Sequence, residues 1–195
     1  MSPTEATGSR AVGDEFEIRV HGAGQSKPLV DALADIWADA HPEFGARGED
    51  GRVRSVDAFR RQIDGHFRHR GFTLAAAYEA GTLVGFGYGF PCTAEYWYGE
   101  ELLPRIPAEA REGLMGLCEG AVRPPWQSRG IGTLLHERLV QAVSPRWTSL
   151  LVSPANTRGR ALYERLGYRY AGPYRNGDDT YDLLIARART PQGAA

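Results

Sequence analysis

The stretch Val122-Arg123-Pro124-Pro125-Trp126-Gln127-Ser128-Arg129-Gly130-Ile131-Gly132 joins two apolar segments of different period. Residues 114–122 ahead of it read as a strand. Residues 130–142 behind it set Ile131, Leu134, Leu135 and Leu139 on one face of a helix. A strand therefore ends, a short loop turns, and a helix opens at two glycines. The first amides of such a helix have no carbonyl partner within it, and the helix dipole adds partial positive charge at the same end. Together they form a seat for a pyrophosphate. Glycine suits the turn because a Cβ would hold phosphate oxygens off the backbone. Arg129 could add a charged contact at the rim.

Two other phosphate motifs do not fit. The chain has no G-x-x-x-x-G-K-[ST], and no third glycine completes a dinucleotide fingerprint. Composition narrows the classes further. With 195 residues, 42% hydrophobic, 24% charged and a net charge of −1, the chain is expected to be globular rather than disordered. Nothing in that balance suggests binding to nucleic acid. Cys92 and Cys118 are the only cysteines, too few for a metal cluster or a disulfide framework, so no metal is expected and a cytoplasmic setting is. No run approaches the roughly 20 apolar residues that span a bilayer.

Working outward, residues 16–20 alternate as a strand, and residues 27–40 carry Leu29, Leu33, Ile36 and Trp37 at helical spacing. Ser55 could cap a second helix whose Val56, Phe59, Ile63 and Phe67 share a face. Residues 72–78 and 82–90 flank Glu79-Ala80-Gly81 as a hairpin. Residues 91–112, with three prolines and Tyr96, Trp97 and Tyr98, are expected to be irregular apart from a short helix at most. Strand 149–152, helix 156–166 and strands 168–172 and 180–186 complete a mixed α/β layout around one sheet. Residues 1–13 and 190–195 read as tails of a single domain spanning 14–189.

The pattern V-x-P-x-x-Q-x-x-G-I-G, filled by Val122, Pro124, Gln127, Gly130, Ile131 and Gly132, resembles motif A of the GNAT acyltransferases. The stretch Asn156…Ala161-Leu162-Tyr163-Glu164…Gly167-Tyr168 is similar to the second half of the same signature. The two matches span about residues 114–172. The resemblance implies a mostly antiparallel sheet flanked by about four helices, with one parallel strand pair splayed where CoA lies. It also implies an acetyl-CoA-dependent N-acetyltransferase. Val122 would pair with the pantetheine arm. Gln127, Ser128, Arg129, Gly130, Ile131, Gly132 and Thr133 would hold the pyrophosphate. Asn156 would contact pantetheine, cap its helix, or do both.

Tyr163 matches the family's general acid: a phenol with pKa of ~10 stays protonated at neutral pH and can protonate a departing thiolate. A tyrosine merely packed on the sheet is the alternative. Glu119 is the candidate base, with a structural carboxylate as the equal alternative. It lies three residues before Val122, so a regular strand puts the two on opposite faces unless a bulge changes the phase. Gly120 departs from the family, which favours a large apolar residue there. Cys118 has no activating neighbour in sequence and reads as core.

Acids on the first helices and in 91–112, among aromatic residues, suit a cationic small-molecule amine as acceptor. The other reading of these acids is a solvated surface. A homodimer would be in keeping with the family. Two alternatives stand beside the small-molecule enzyme: a non-catalytic acyl-CoA-binding domain, and a protein N-terminal or lysine acetyltransferase.

Overall fold

The computed structural model describes residues 15–42, 56–176 and 179–188. The Ser55 cap, the two expected tails and the acids Glu43, Glu49 and Asp50 lie outside them. Seven strands form one sheet in the order β1-β2-β3-β4-β5-β7-β6. They are β1 (Glu17–Gly22), β2 (Thr73–Glu79), β3 (Thr82–Cys92), β4 (Leu114–Val122), β5 (Trp147–Val152), β6 (Arg169–Asn176) and β7 (Asp179–Arg187). Every neighbouring pair is antiparallel except β4 and β5. The β2–β3 hairpin turns on Ala80 and Gly81, whose φ angles of 48° and 82° match the right-handed twist of the flanking strands.

Helices cover both faces. On one lie α2 (Val30–Ala40) and α3 (Val56–His66), preceded by the single turn α1 (Ala23–Ser26). Pro28 breaks the expected helix 27–40 into a 3-10 turn, Lys27–Leu29, followed by α2. Leu33, Ile36 and Trp37 of α2 and Phe59 and Ile63 of α3 bury against Leu74, Phe86, Tyr88 and Phe90 of the sheet. On the opposite face, Ile131, Leu135 and Leu139 of α5 (Ile131–Val143) pack on Ala75, Ala77 and Met115. Beside it, α6 (Thr157–Arg165) is followed by Leu166, which packs on Leu150, Tyr168 and Leu184.

The segment expected to be irregular is largely ordered. After β3 extends to Cys92, Thr93 caps α4 (Ala94–Leu102) by accepting from the Tyr96 amide at 3.3 Å. Ala94, Tyr98 and Leu102, four residues apart, bury against Leu114, Leu183 and Ile185. Gly99 breaks the helix with φ of 67°, and Pro104 and Pro107 lead into two further 3-10 turns. The glycine and prolines hide a helix whose apolar spacing is otherwise visible.

The gap that matters lies between β4 and β5. Their parallel pairing runs from Leu114↔Trp147 to Leu117↔Leu150 and stops there. On the other edge of β4, Tyr88 pairs with Glu119 and Gly89 with Leu117, so Cys118 is an extra, bulged residue. A bulge bends its strand and raises the local twist. The bend falls where β4 parts from β5.

Candidate functional site at the splayed strands

Beyond the bulge, β4 presents a bare edge. The Arg123 amide donates to Val84 O at 2.9 Å, so Arg123 faces β3. By strand alternation, the amides and carbonyls of Gly120 and Val122 face the gap instead. Gln127 donates from Nε2 to Val122 O at 2.8 Å. Its Oε1 accepts from Arg158, on the first turn of α6. Gln127 thereby ties the turn ahead of α5 to the end of β4 and to α6 at once.

The turn has the backbone that its sequence demands. Ser128 (φ 64°) and Gly130 (φ 83°) are left-handed, and Gly130 is the N-cap of α5. Ile131 is buried at 1% exposure. The amides of Ile131 and Gly132 have no carbonyl ahead of them in the helix. The Thr133 amide bonds back to Gly130 O at 3.0 Å, a tight first turn that draws it from the seat expected for a phosphate. A Cβ on Gly132 would stand 2.9 Å from Leu162 Cδ2, so the glycine also lets α6 approach α5. Arg129 turns away from the seat: it pairs with Glu15 and with Glu79 at 2.7 Å, and its guanidinium lies over the Phe16 ring. Trp126 donates to the same Glu79 at 2.6 Å, so these contacts brace the turn against β2.

A cleft of about 640 Å³ runs past Gln127, Gly130, Gly132, Asn156 and Arg158. It continues into a smaller cavity of about 140 Å³ that reaches Glu119 and Tyr163. Asn156 borders both, and its Oδ1 accepts from the Gly159 amide at 2.8 Å. The capping role is therefore filled, and it leaves Asn156 on the cleft wall. Another cleft of about 670 Å³, bordered by Arg169, Tyr170 and Arg187, shares none of these elements.

Glu119 and Tyr163 stand on opposite faces of the sheet. The bulge precedes Glu119, and register is continuous from Glu119↔Tyr88 to Val122↔Gly85, so Glu119 and Val122 keep opposite faces. Glu119 points to α3, where Gln62 Nε2 donates to its Oε1 at 2.9 Å. Gln62 also approaches the Tyr88 hydroxyl at 3.5 Å, and His66 Nδ1 lies 3.1 Å from that hydroxyl. Burial, and after it neighbouring His69, pushes the His66 ring down to about 4, so it is neutral at pH 7. His69 stacks on Phe90 at 4.0 Å and meets the Tyr96 hydroxyl at 3.3 Å.

Across the sheet, burial and then the charge of Glu119 push the Tyr163 phenol up to about 12. It remains a proton donor at any physiological pH. Nothing with a side chain separates it from β4: the site of a Gly120 Cβ is 3.8 Å from Tyr163 Oη. The Cys118 thiol is pushed well up, first by burial, which removes the thiolate that an acyl relay would require.

Gln62, His66, Tyr88 and Arg158 were not singled out by sequence reasoning. One signal was available for two of them: Gln62 and His66 are polar residues four apart, set among the apolar face of α3.

The acetyltransferase (GNAT) family model matches residues 30–168, well over half of the chain. The protein belongs to the GNAT family. Solved structures of similar fold include PH1933 from Pyrococcus horikoshii, 20% identical, with a TM-score of 0.64 over 89% of this chain and 100% of that one. AAC(6')-Ib in complex with ribostamycin and coenzyme A is 16% identical, with a TM-score of 0.60 over 89% and 94%. The ribosomal-protein-S18-alanine N-acetyltransferase of Escherichia coli is 19% identical, with a TM-score of 0.56 over 87% and 90%. Curated protein sequences give no match. Among the described residues of this GNAT protein, no helix is long and apolar enough to cross a membrane.

Proposed function

We propose that this protein transfers an acetyl group from acetyl-CoA to a primary amine of a small molecule, by direct attack of the amine on the thioester. One observation carries the reading. A single slot runs from the start of α5, along the bare edge of β4, to Glu119 and Tyr163. When bound, acetyl-CoA supplies an activated carbonyl with a thiolate as leaving group.

The amides of Ile131 and Gly132, backed by the α5 dipole, would take the pyrophosphate. Arg158 would add a charge beside them. Gly120 and Val122 would pair through their backbones with the pantetheine amides, and Asn156 would border that arm. On the α3 face, Glu119 would accept the proton of the incoming ammonium, directly or through one water. Gln62 holds the carboxylate in place by its 2.9 Å bond. On the α6 face, Tyr163 would give its proton to the departing sulfur. Base and acid thus act from opposite sides of the gap.

Three features bear on the acceptor. The acids on the first helices are largely engaged: Asp31 and Asp57 with Arg60, Asp39 with Arg123, and Asp64 with Arg68. The surroundings of Glu119 are instead Tyr88, His66 and, beyond them, His69 and Tyr96. The ordered α4 segment covers the sheet beside this group, which narrows the approach for a long peptide.

The test is calorimetric titration with acetyl-CoA of the wild type and of Gly132→Glu, followed by a panel of amines and peptides. Micromolar binding that the variant loses, with turnover on small amines, is expected. Binding without turnover on any acceptor would support a regulatory domain. Turnover on peptides alone would refute the small-molecule acceptor.

A further inference from the structure

Strand interiors disfavour glycine, which packs nothing and costs backbone entropy; where one persists, a backbone or a ligand usually comes close. β3 and β4 carry five: Gly85, Gly87, Gly89, Gly116 and Gly120. Crowding accounts for three of them. A Cβ on Gly85 would come within 3.0 Å of Val122 Cγ2, one on Gly116 would sit 2.6 Å from the Trp97 ring, and one on Gly89 would be driven into the Gly116 carbonyl oxygen.

Gly87 and Gly120 differ. The nearest atom to a Cβ on Gly120 would be Tyr163 Oη at 3.8 Å, and to one on Gly87 it would be Leu139 Cδ1 at 3.4 Å, both ordinary contacts. No protein atom requires either glycine. They are direct cross-strand partners, and both line the cavity of about 140 Å³ between the sheet and α5. Together they make a floor without side chains, walled by Leu117, Leu135, Leu139 and Leu162. Gly120, Val122, Gly132 and Leu162 border both this cavity and the outer cleft, so one opens into the other beside Tyr163.

We propose that this cavity receives the acyl chain of the donor, so that beside acetyl-CoA the protein accepts unbranched acyl-CoAs from butyryl to hexanoyl and binds them more tightly. The inference rests on the CoA reading of the slot. The cavity of about 140 Å³ holds some four or five water-sized groups, at roughly 30 Å³ each. The thioester beside Tyr163 takes the mouth that Gly120, Val122 and Asn156 share with the outer cleft, so an acetyl methyl reaches only the near end of the part walled by Leu117, Leu135 and Leu139, whereas two or more further methylenes extend into it. Besides Tyr163, its titratable neighbours are His136, whose ring is 2.9 Å from the Tyr168 hydroxyl, and Glu119, whose carboxylate points to α3 on the other face of the sheet. No arginine or lysine borders the cavity among the described residues, so a chain ending in a carboxylate would have no partner there.

The experiment measures dissociation constants of free CoA, acetyl-CoA, butyryl-CoA and hexanoyl-CoA on the wild type and on Gly87→Val. Burying a methylene strengthens binding by up to about fourfold, so butyryl-CoA is expected to bind roughly tenfold tighter than acetyl-CoA. Gly87→Val fills the floor and should flatten the series to within about twofold while free CoA still binds; should it not fold, Gly87→Ala takes its place. Wild-type affinity that is flat or falls with chain length, while free CoA binds, overturns the acyl pocket and leaves the CoA slot standing. If free CoA itself does not bind, the slot reading fails and the acyl pocket with it.

Discussion

Replacing Tyr163 by phenylalanine removes one oxygen and tests whether that oxygen moves a proton. The phenol is pushed up to about 12, so at pH 7 it is protonated in all but about one molecule in 10⁵. A positioned proton donor contributes about 10²–10⁴-fold to a rate, or roughly 3–5 kcal/mol of barrier. The ring itself should stay: it packs in the α6 core and meets Tyr168 edge-on at 5.4 Å. Stability is therefore expected to change by less than about 1 kcal/mol. The assay follows thiol release with an amine found in the screen, and calorimetry follows CoA binding. A fall in kcat of at least about a hundredfold, with CoA affinity within about threefold of wild type, is expected. A Tyr163→Phe enzyme that retained its kcat within threefold would refute the assignment, because the sulfur would then be protonated from elsewhere.

Arg158→Ala should weaken CoA binding about tenfold at low salt, whereas Arg129→Ala, already committed to Glu15 and Glu79, should change it less than threefold, and titration at two ionic strengths separates them. His136 is held down to about 4 by burial, so between pH 6.5 and 4 the unfolded chain binds the proton more readily than the folded one. This contribution is complete above pH 6.5 and is lost as pH falls toward 4, by up to about 3 kcal/mol, and urea unfolding of His136→Gln should lack that part of the slope. Gly89→Ala should cost more than about 3 kcal/mol in the same unfolding assay, because its Cβ is aimed at backbone that cannot step aside.

Much of this arrangement was legible beforehand because it depends on local pattern. β4 begins and ends where its apolar run does, and the two glycines after Arg129 mark the start of α5. Asn156 caps its helix, one of the two roles its place in the sequence offered. What escaped depends on distant parts of the chain. Arg129 looked like a phosphate ligand because it sits in the turn, yet Glu15 and Glu79, 114 and 50 residues away, claim it. Arg158 carries no local signal at all, yet it reaches across to Gln127. The link from Gln62 to Glu119 spans 57 residues and depends on α3 docking in one orientation, which no local period encodes. Gly120 was flagged as a departure from the family, but only the register that sets it beside Gly87 shows what the departure makes.

The bulge at Cys118 means that nine residues of β4 are matched to eight of β3, Gly85 to Cys92. Cys118 and Glu119 together occupy one step of the pleat, so removing Cys118 would leave Leu117 and Glu119 each on its present face. What would be lost is the bend. A β4 one residue shorter could run on beside Leu151 and Val152, and the opening would close like a zip without any lining side chain having changed. The width of the slot is thus written in the length of a strand, and a single-codon deletion would be a cleaner way to shut it than any substitution.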